Sequence, residues 1–508
     1  MASMPGVLTR ANAHTGQACR TLTRTLVSFA VLVLVPGAML VVSISRPGAS
    51  SVAVTFAAIA ALAIWLMLNR RSFTDATFVF MALFLVYQVF IPAFYVTGVV
   101  YEGESLMLNW ELFERGNVFV LLGLLTYAGG MWLATRSRIG STAPRQESLS
   151  SRAAGRLVPV LVGIAFAAWM VMFLRAGMPL EVLTGRPPAG RVRDMSLTAG
   201  GFGYFLDAMF AGHLALLIDY VRHPRRPVLS LRTLSLFAAL FVLNGLIGSR
   251  LLLVAPLLAV VLMRLILQRR EPWTEKDNGA RSWRWKRIAA LGAVLGLFAL
   301  SLVYRDYRTG DADLDFGDGN ALLFSIAHTF DTAATYYMVV DRVPAKTDFW
   351  YGRSALAPLL LLVPTPVFPG KYDAIWGDAK FTLLFYGYDQ NESGTVARGF
   401  SMLAEAYLNG GVFAACLVLA SFGFLNERLA QRIREHRHTN MFALLYVVYL
   451  VYFLPTAFKA GVAGAVSYID VKVLALPLAM SLVRASDELC QRVARLRVTG
   501  AVVRWARS

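Results

Sequence analysis

Apolar runs of about 18 or more residues recur from one end of this 508-residue chain to the other, each long enough as a helix to cross a hydrocarbon core of about 30 Å. Backbone N–H and C=O groups cannot stay unpaired in lipid, so a spanning segment is either a helix or a strand of a closed barrel. The runs are continuously apolar and lack the alternation of barrel strands, which leaves helices. Composition agrees. Hydrophobic residues make up 57% of the chain and charged residues 16%, against about 45–50% and about 25% in a soluble domain.

The chain therefore reads as an all-α integral membrane protein with about twelve transmembrane helices. They are predicted near 25–44, 51–68, 76–98, 117–135, 156–175, 202–221, 233–249, 251–268, 288–304, 401–426, 441–458 and 467–484. The first follows Arg10, Arg20 and Arg24 and resembles a secretory signal, but further spans follow, so it is read as an uncleaved first helix. No internal repeat and no soluble domain is visible, and residues 1–508 form one polytopic domain.

The net charge of +18 does not mark a nucleic-acid binder, because of where the charge sits. Arg70 and Arg71 follow the second span, and Arg136, Arg138, Arg145, Arg152 and Arg156 the fourth. Arg222, Arg225, Arg226 and Arg232 follow the sixth, and Arg269, Arg270, Lys276, Arg281, Arg284, Lys286 and Arg287 the eighth. Arg428, Arg432, Arg434 and Arg437 follow the tenth. Cytoplasmic loops carry such an excess of Arg and Lys, so these loops and both termini are placed in the cytoplasm, against anionic lipid headgroups. The other loops face outward. One, 99–116, carries Glu102, Glu104, Glu111 and Glu114. The longest, about 305–400, lies between spans nine and ten; connections of that length are uncommon and usually functional or disordered. It is rich in Tyr, Phe and Trp, with a proline-broken apolar stretch at 354–368. It is expected to be ordered, partly re-entrant or helical, and to carry much of the active site.

Outward-facing arginines are the informative ones. Arg250, in the outer turn Gly248-Ser249-Arg250, either snorkels to headgroups or pairs bidentately with a diphosphate. Arg305 and Arg308, in Tyr304-Arg305-Asp306-Tyr307-Arg308, can share one helical face, or either can simply pair with Asp306. Arg175, Arg186, Arg191 and Arg193 make the loop after span five positive, suited to an anionic substrate or to lipid phosphates. His328 has Asp331 three residues on; an imidazole beside a carboxylate suits a general base and equally suits packing. Glu405 is an ionisable residue inside a span, a functional candidate by default. Arg398 lies seven residues before it, so both can line one face, as a working pair or a structural one. Lys459 lies just outside span eleven. Asp207 and His213 are read as interhelical hydrogen bonders.

Other signals exclude more than they assign. Trp350, Tyr351, Tyr372, Trp376, Tyr386 and Tyr388 suit sugar rings and interfacial belts alike. Cys19, Cys416 and Cys490 have no metal-ligand or disulfide spacing. No metal motif and no Walker motif is present, which argues against an ATP-driven pump. The outer loop near 45–50 has no acidic residue, unlike the membrane sugar transferases that place a metal site there.

Three stretches resemble the oligosaccharide repeat unit polymerases, the Wzy-type O-antigen and capsule polymerases. They are Gly248-Ser249-Arg250, the segment from Tyr351-Gly352-Arg353 through Val363-Pro364-Thr365-Pro366-Val367-Phe368-Pro369-Gly370-Lys371, and Glu405-Ala406-Tyr407-Leu408-Asn409-Gly410-Gly411. The chain departs from the pattern at Thr365, where arginine is usual, at Ala404, where glycine is usual, and at Phe458-Lys459-Ala460-Gly461, where an Arg-Gly pair is common. The resemblance implies polymerisation of undecaprenyl-diphosphate-linked oligosaccharide into O-antigen, capsule or exopolysaccharide at the outer face of the bacterial inner membrane. It implies glycosyl transfer without a metal or other cofactor, and as partners membrane lipids and a chain-length regulator and flippase of the same pathway. Arg250, Arg305, Arg308 and Arg398 would surround the diphosphates, with Glu405 or His328 as base. Arg191, Arg193, Lys371, Tyr407 and Lys459 would contact substrate. A ligase using the same donor, and a flippase without chemistry, are the alternatives.

Overall fold

The computed structural model describes residues 50–68, 74–90, 110–137, 151–175, 210–223, 250–268, 332–363, 367–370, 374–376, 378–386, 401–434 and 440–467, with isolated positions between 231 and 238. Among them there is no strand. The helices are α1 (Ser50–Leu68), α2 (Ala76–Leu85, continued by a π-helical turn Val86–Phe90), α3 (Trp110–Arg136), α4 (Ser151–Arg175), α5 (Ala211–Arg222) and α6 (Arg250–Gln268). Then come α7 (Ala333–Arg342), α8 (Ala357–Leu362, entered through a 3-10 turn Arg353–Leu356), α9 (Asp378–Tyr386) and α10 (Met402–Arg434). The last is α11 (Asn440–Ser467), with a π-helical turn at Tyr449–Phe453.

Three stretches are long and apolar enough to cross a membrane: Leu112–Arg136, Met402–Arg434 and Asn440–Ser467. The predicted spans near 51–68, 76–98, 117–135, 156–175, 202–221, 251–268, 401–426 and 441–458 each overlap a described helix. Those near 25–44, 233–249, 288–304 and 467–484 lie wholly or largely outside the described residues. One boundary differs. Residues up to 116 were expected to be loop, yet α3 begins at Trp110. Residues 111–116 therefore belong to the helix, and Arg136 sits in its last turn, where a basic residue suits the helix dipole. Of the segment 305–400, the described part holds α7, α8 and α9.

The core is built around the crossing of α3 and α10. Small residues let the backbones meet, as in membrane helix pairs generally. Gly130 faces the Ala420 carbonyl, Gly423 faces the Tyr127 carbonyl, and Gly123 lies under Leu419. Polar rungs cross the same seam. Thr126 Oγ1 donates to the Cys416 carbonyl at 3.0 Å. Asn426 Nδ2 donates to the Tyr127 hydroxyl at 3.0 Å and its Oδ1 accepts from Tyr449 at 2.6 Å, tying in α11. Phe80 of α2 joins all four helices, with ring centroids 4.7 Å from Tyr127, 5.6 Å from Phe422 and 5.0 Å from Phe458. His213 of α5 reaches the Tyr452 hydroxyl at 2.8 Å, the interhelical bond expected of it; Asp207 lies outside the described residues. At the Arg434 end of α10, that guanidinium bridges two buried carboxylates, Asp75 at 3.0 Å and Glu427 at 2.6 Å. The exposed outer faces are apolar, with Leu122, Leu125 and Leu133 on α3 and Phe413 and Leu417 on α10.

Candidate functional site

Helix α10 starts on a side-chain cap: Ser401 Oγ accepts the Ala404 N–H at 3.2 Å, a favoured arrangement at a first turn. The helix is then interrupted at Gly410 and Gly411. Gly411 has φ 65°, a left-handed conformation that glycine adopts without steric cost. In an unbroken helix the Leu408 carbonyl would bind the N–H four residues on. Here it accepts the Trp350 N–H at 2.7 Å, so a loop before α8 supplies the missing donor.

Asn409 rivets that loop in place. Its Oδ1 accepts the Gly352 N–H at 2.9 Å. Its Nδ2 donates to Ser354 Oγ at 2.7 Å and back to the Glu405 carbonyl at 2.8 Å. Asn409→Asp keeps the acceptor but removes both donations. The expected result is a loss of about 1 kcal/mol for each bond, read as a lower Tm of the purified protein. An unchanged Tm would show that the rivet is dispensable.

A second interruption faces the first. Gly461, at φ +79°, sits inside α11 and turns the Val462 and Ala463 N–H groups toward Glu405. The Glu405 carboxylate accepts from Val462 and from Ala463, at 3.1 Å to Oε2 and 3.3 Å to Oε1. Ser354 is a further side-chain partner. Glu405 is only 4% exposed. A Cβ on residue 461 would stand 2.5 Å from Oε2, so only glycine leaves room for the carboxylate. Thr332, just ahead of α7, donates to the Phe458 carbonyl at 3.2 Å.

Aromatic rings wall this centre. Tyr407 lies among Phe119, Phe349 and Tyr336, at centroid distances of 6.0, 6.3 and 6.4 Å. Tyr337 donates to Asn117 Oδ1 at 2.6 Å and Tyr336 to the Gly116 carbonyl at 3.2 Å. Burial pushes both phenols above their ordinary range, so both remain hydroxyl donors at neutral pH. At the rim, the Arg353 guanidinium lies 4.5 Å over the Trp376 ring. Trp376 in turn stands edge-on to buried Trp350 at 5.4 Å.

Glu405 and Tyr407 thus occupy the centre of the cluster, and Lys459 is exposed two residues before Gly461. Arg250 is the first residue of α6. His328, Arg398, Arg305, Arg308, Arg191, Arg193 and Lys371 lie outside the described residues. Among the described residues no three His, Cys, Asp or Glu side chains are grouped to hold a metal. Four residues of the cluster were assigned no role from sequence: Arg353, Ser354, Asn409 and Gly461. Asn409 stands one helical turn after Glu405 and directly before Gly410-Gly411, which was a usable signal. Arg353 directly follows Tyr351-Gly352 and was another.

No curated protein and no solved structure matches the chain. The family model for the O-antigen polysaccharide polymerase Wzy matches residues 25–469. That match spans every helix described above. It also takes in each stretch gathered at the two glycine breaks, and by it the chain belongs to the O-antigen polysaccharide polymerase Wzy family, membrane polymerases of lipid-linked oligosaccharide repeat units.

Proposed function

We propose that this chain lengthens polysaccharide at the outer face of the bacterial cytoplasmic membrane, as a multi-pass protein with about twelve spans and cytoplasmic termini. Its substrate is undecaprenyl-diphosphate-linked oligosaccharide. The terminal hydroxyl of an acceptor unit attacks the anomeric carbon of the donor glycan. The bond from that carbon to the diphosphate oxygen breaks, undecaprenyl diphosphate leaves, and the hydroxyl proton passes to a base. Within the family assignment, one observation carries the reading. Ser354 and the N–H groups that follow Gly461 meet the buried Glu405 carboxylate, and Asn409, one turn after Glu405, holds the Tyr351–Ser354 loop beside it.

The leaving diphosphate needs fixed positive charge. We assign this to Arg250 and Arg398, with Arg305 and Arg308. Arg250 opens α6, where the helix N-terminus also favours an anion. Arg353 joins them: it is exposed, is held over Trp376 and has no carboxylate partner among the described residues. Arg191, Arg193, Lys371, Lys459 and Tyr407 are assigned to substrate contact. Main-chain donors occupy the Glu405 carboxylate, which supports a holding role for it. His328 then takes the proton, with Asp331 to orient it. A chain-length regulator and a flippase are the partners.

Deletion of the gene, complemented by wild type or by Arg250→Ala, Arg398→Ala or Arg353→Ala, tests this on surface glycan sized by gel. Wild type restores the long ladder, and the variants leave single repeats, each losing about 10²–10³-fold in rate. An unchanged ladder in the deletion strain would remove the polymerase reading for that glycan. Full rescue by all three variants would remove the arginine assignment.

A further inference from the structure

Tyr351 holds a backbone conformation that its side chain does not favour. Its φ is +49°, and it is the one non-glycine residue among those described with a positive φ. A bulky residue there is an outlier that calls for a reason. Gly352 follows at φ +83°, so the loop bends through two left-handed residues in succession. Glycine or asparagine at 351 would make the same bend with less strain.

Packing does not supply the reason. Tyr351 is 75% exposed, and among the described residues its ring makes one ring contact, edge-on to Phe349 at 6.1 Å. Among the described residues its hydroxyl has no partner. What the strained backbone achieves is presentation. Trp350 on one side is tied to Leu408 and Gly352 on the other to Asn409. The ring between them is therefore carried on fixed main chain at the rim of the cluster. Two residues on, the Arg353 guanidinium lies 4.5 Å over the Trp376 ring. The rim thus offers a preorganised aromatic face beside a preorganised cation. A lipid-linked sugar has the matching parts: a pyranose ring with an apolar C–H face and hydroxyls at its edge, next to a diphosphate. Strain held at a ligand-facing position is a recurrent feature of binding sites.

Building on the function proposed above, we propose that Tyr351 is a stacking platform for a sugar ring of the repeat unit and sets affinity for the glycan rather than the rate of transfer. An interfacial tyrosine that only anchored the protein to headgroups would need no left-handed backbone.

The strain itself provides the test. Tyr351→Gly relieves the backbone while removing the ring, so a residue serving only the fold is improved by it. The full-length protein in detergent is assayed with lipid-linked repeat units extracted from the host, alongside Tyr351→Phe. The expected result for Tyr351→Gly is an unchanged or higher Tm, an unchanged kcat and an apparent KM raised about tenfold, the scale of losing one aromatic anchor. Tyr351→Phe stays near wild type. Saturation-transfer NMR with the released oligosaccharide should lose its signal in Tyr351→Gly alone. A Tyr351→Gly protein with wild-type KM overturns the proposal, as does a KM effect seen in bilayers and absent in detergent, which marks a lipid anchor. A parallel fall of kcat and Tm overturns it in favour of a structural role. Wild-type protein that fails to polymerise these units overturns the functional reading itself, and the stacking role falls with it.

Discussion

Glu405→Ala lowers the thermal stability of the protein and removes the long glycan together. The carboxylate is buried and is met by the N–H groups of Val462 and Ala463, so its removal leaves two donors without an acceptor. Each buried orphan costs about 1–3 kcal/mol. The rest of the cluster then loosens, because the helix carrying Glu405 also carries Asn409, and Asn409 holds the Tyr351–Ser354 loop. Glu405→Gln retains one carbonyl oxygen and turns an amide donor toward main-chain donors, so it falls between wild type and alanine. Gly461→Ala attacks the same contact from the opposite side. Its Cβ would stand 2.5 Å from Oε2, and the left-handed backbone disfavours any side chain. Both single variants should therefore show reduced Tm and a ladder collapsed to single repeats. The double variant should be less damaging than the sum, since alanine at 405 vacates the space that alanine at 461 needs. The decisive measurement is Tm of purified Glu405→Ala beside its polymerising activity. Lost activity at wild-type Tm would contradict the holding role and return Glu405 to the position of general base.

Glu405 also shows where sequence reasoning succeeds and where it stops. An acidic residue inside an apolar run identifies itself, because a charge in that setting is expensive. Its partners do not. Arg398, charged and near in sequence, lies outside the described residues. Among the described residues the partners are Ser354 and backbone amides 57 and 58 residues away. Every residue except proline has such an amide, and beyond the first turn of a helix only a break makes one available. The one trace in the sequence is Gly461, and a glycine in an apolar run serves a close helix crossing just as well. Hydropathy located the helices that hold the site for a similar reason: length and apolarity are properties of the residues themselves. It misplaced the start of α3, because Glu111 and Glu114 interrupt the apolar run and read as loop, whereas the helix begins at Trp110. The strain at Tyr351 is a torsion angle, invisible in residue types. Gly123 and Gly130, by contrast, stand seven residues apart, two turns on one face, a pattern that marks a close helix crossing from residue types alone.

That crossing carries the other large effect. Gly130→Val or Gly423→Val should leave little folded protein in the membrane and no long glycan. A Cβ at 130 would stand 2.0 Å from the Ala420 carbonyl oxygen, and one at 423 would stand 2.1 Å from that of Tyr127. Both obstacles are backbone, so no rotamer change relieves them. The helices must move apart instead, beyond the roughly 1–3 kcal/mol of ordinary overpacking. Separation then breaks what depends on closeness: the Thr126 to Cys416 bond, the Tyr127, Asn426 and Tyr449 chain, and the bridging of Tyr127 and Phe422 by Phe80. Gly129 is the internal control. It adjoins Gly130 in sequence, yet a Cβ there meets nothing within 4 Å. Gly129→Ala should be neutral or gain about 1 kcal/mol from helix propensity. Detergent-extracted yield and Tm, with Gly130→Ala measured beside Gly129→Ala and the two valine variants, decide the matter. Equal behaviour of Gly129→Ala and Gly130→Ala would mean that the two helices do not cross at this distance. The expected divergence would tie folding of this polymerase to two glycines that never touch its substrate.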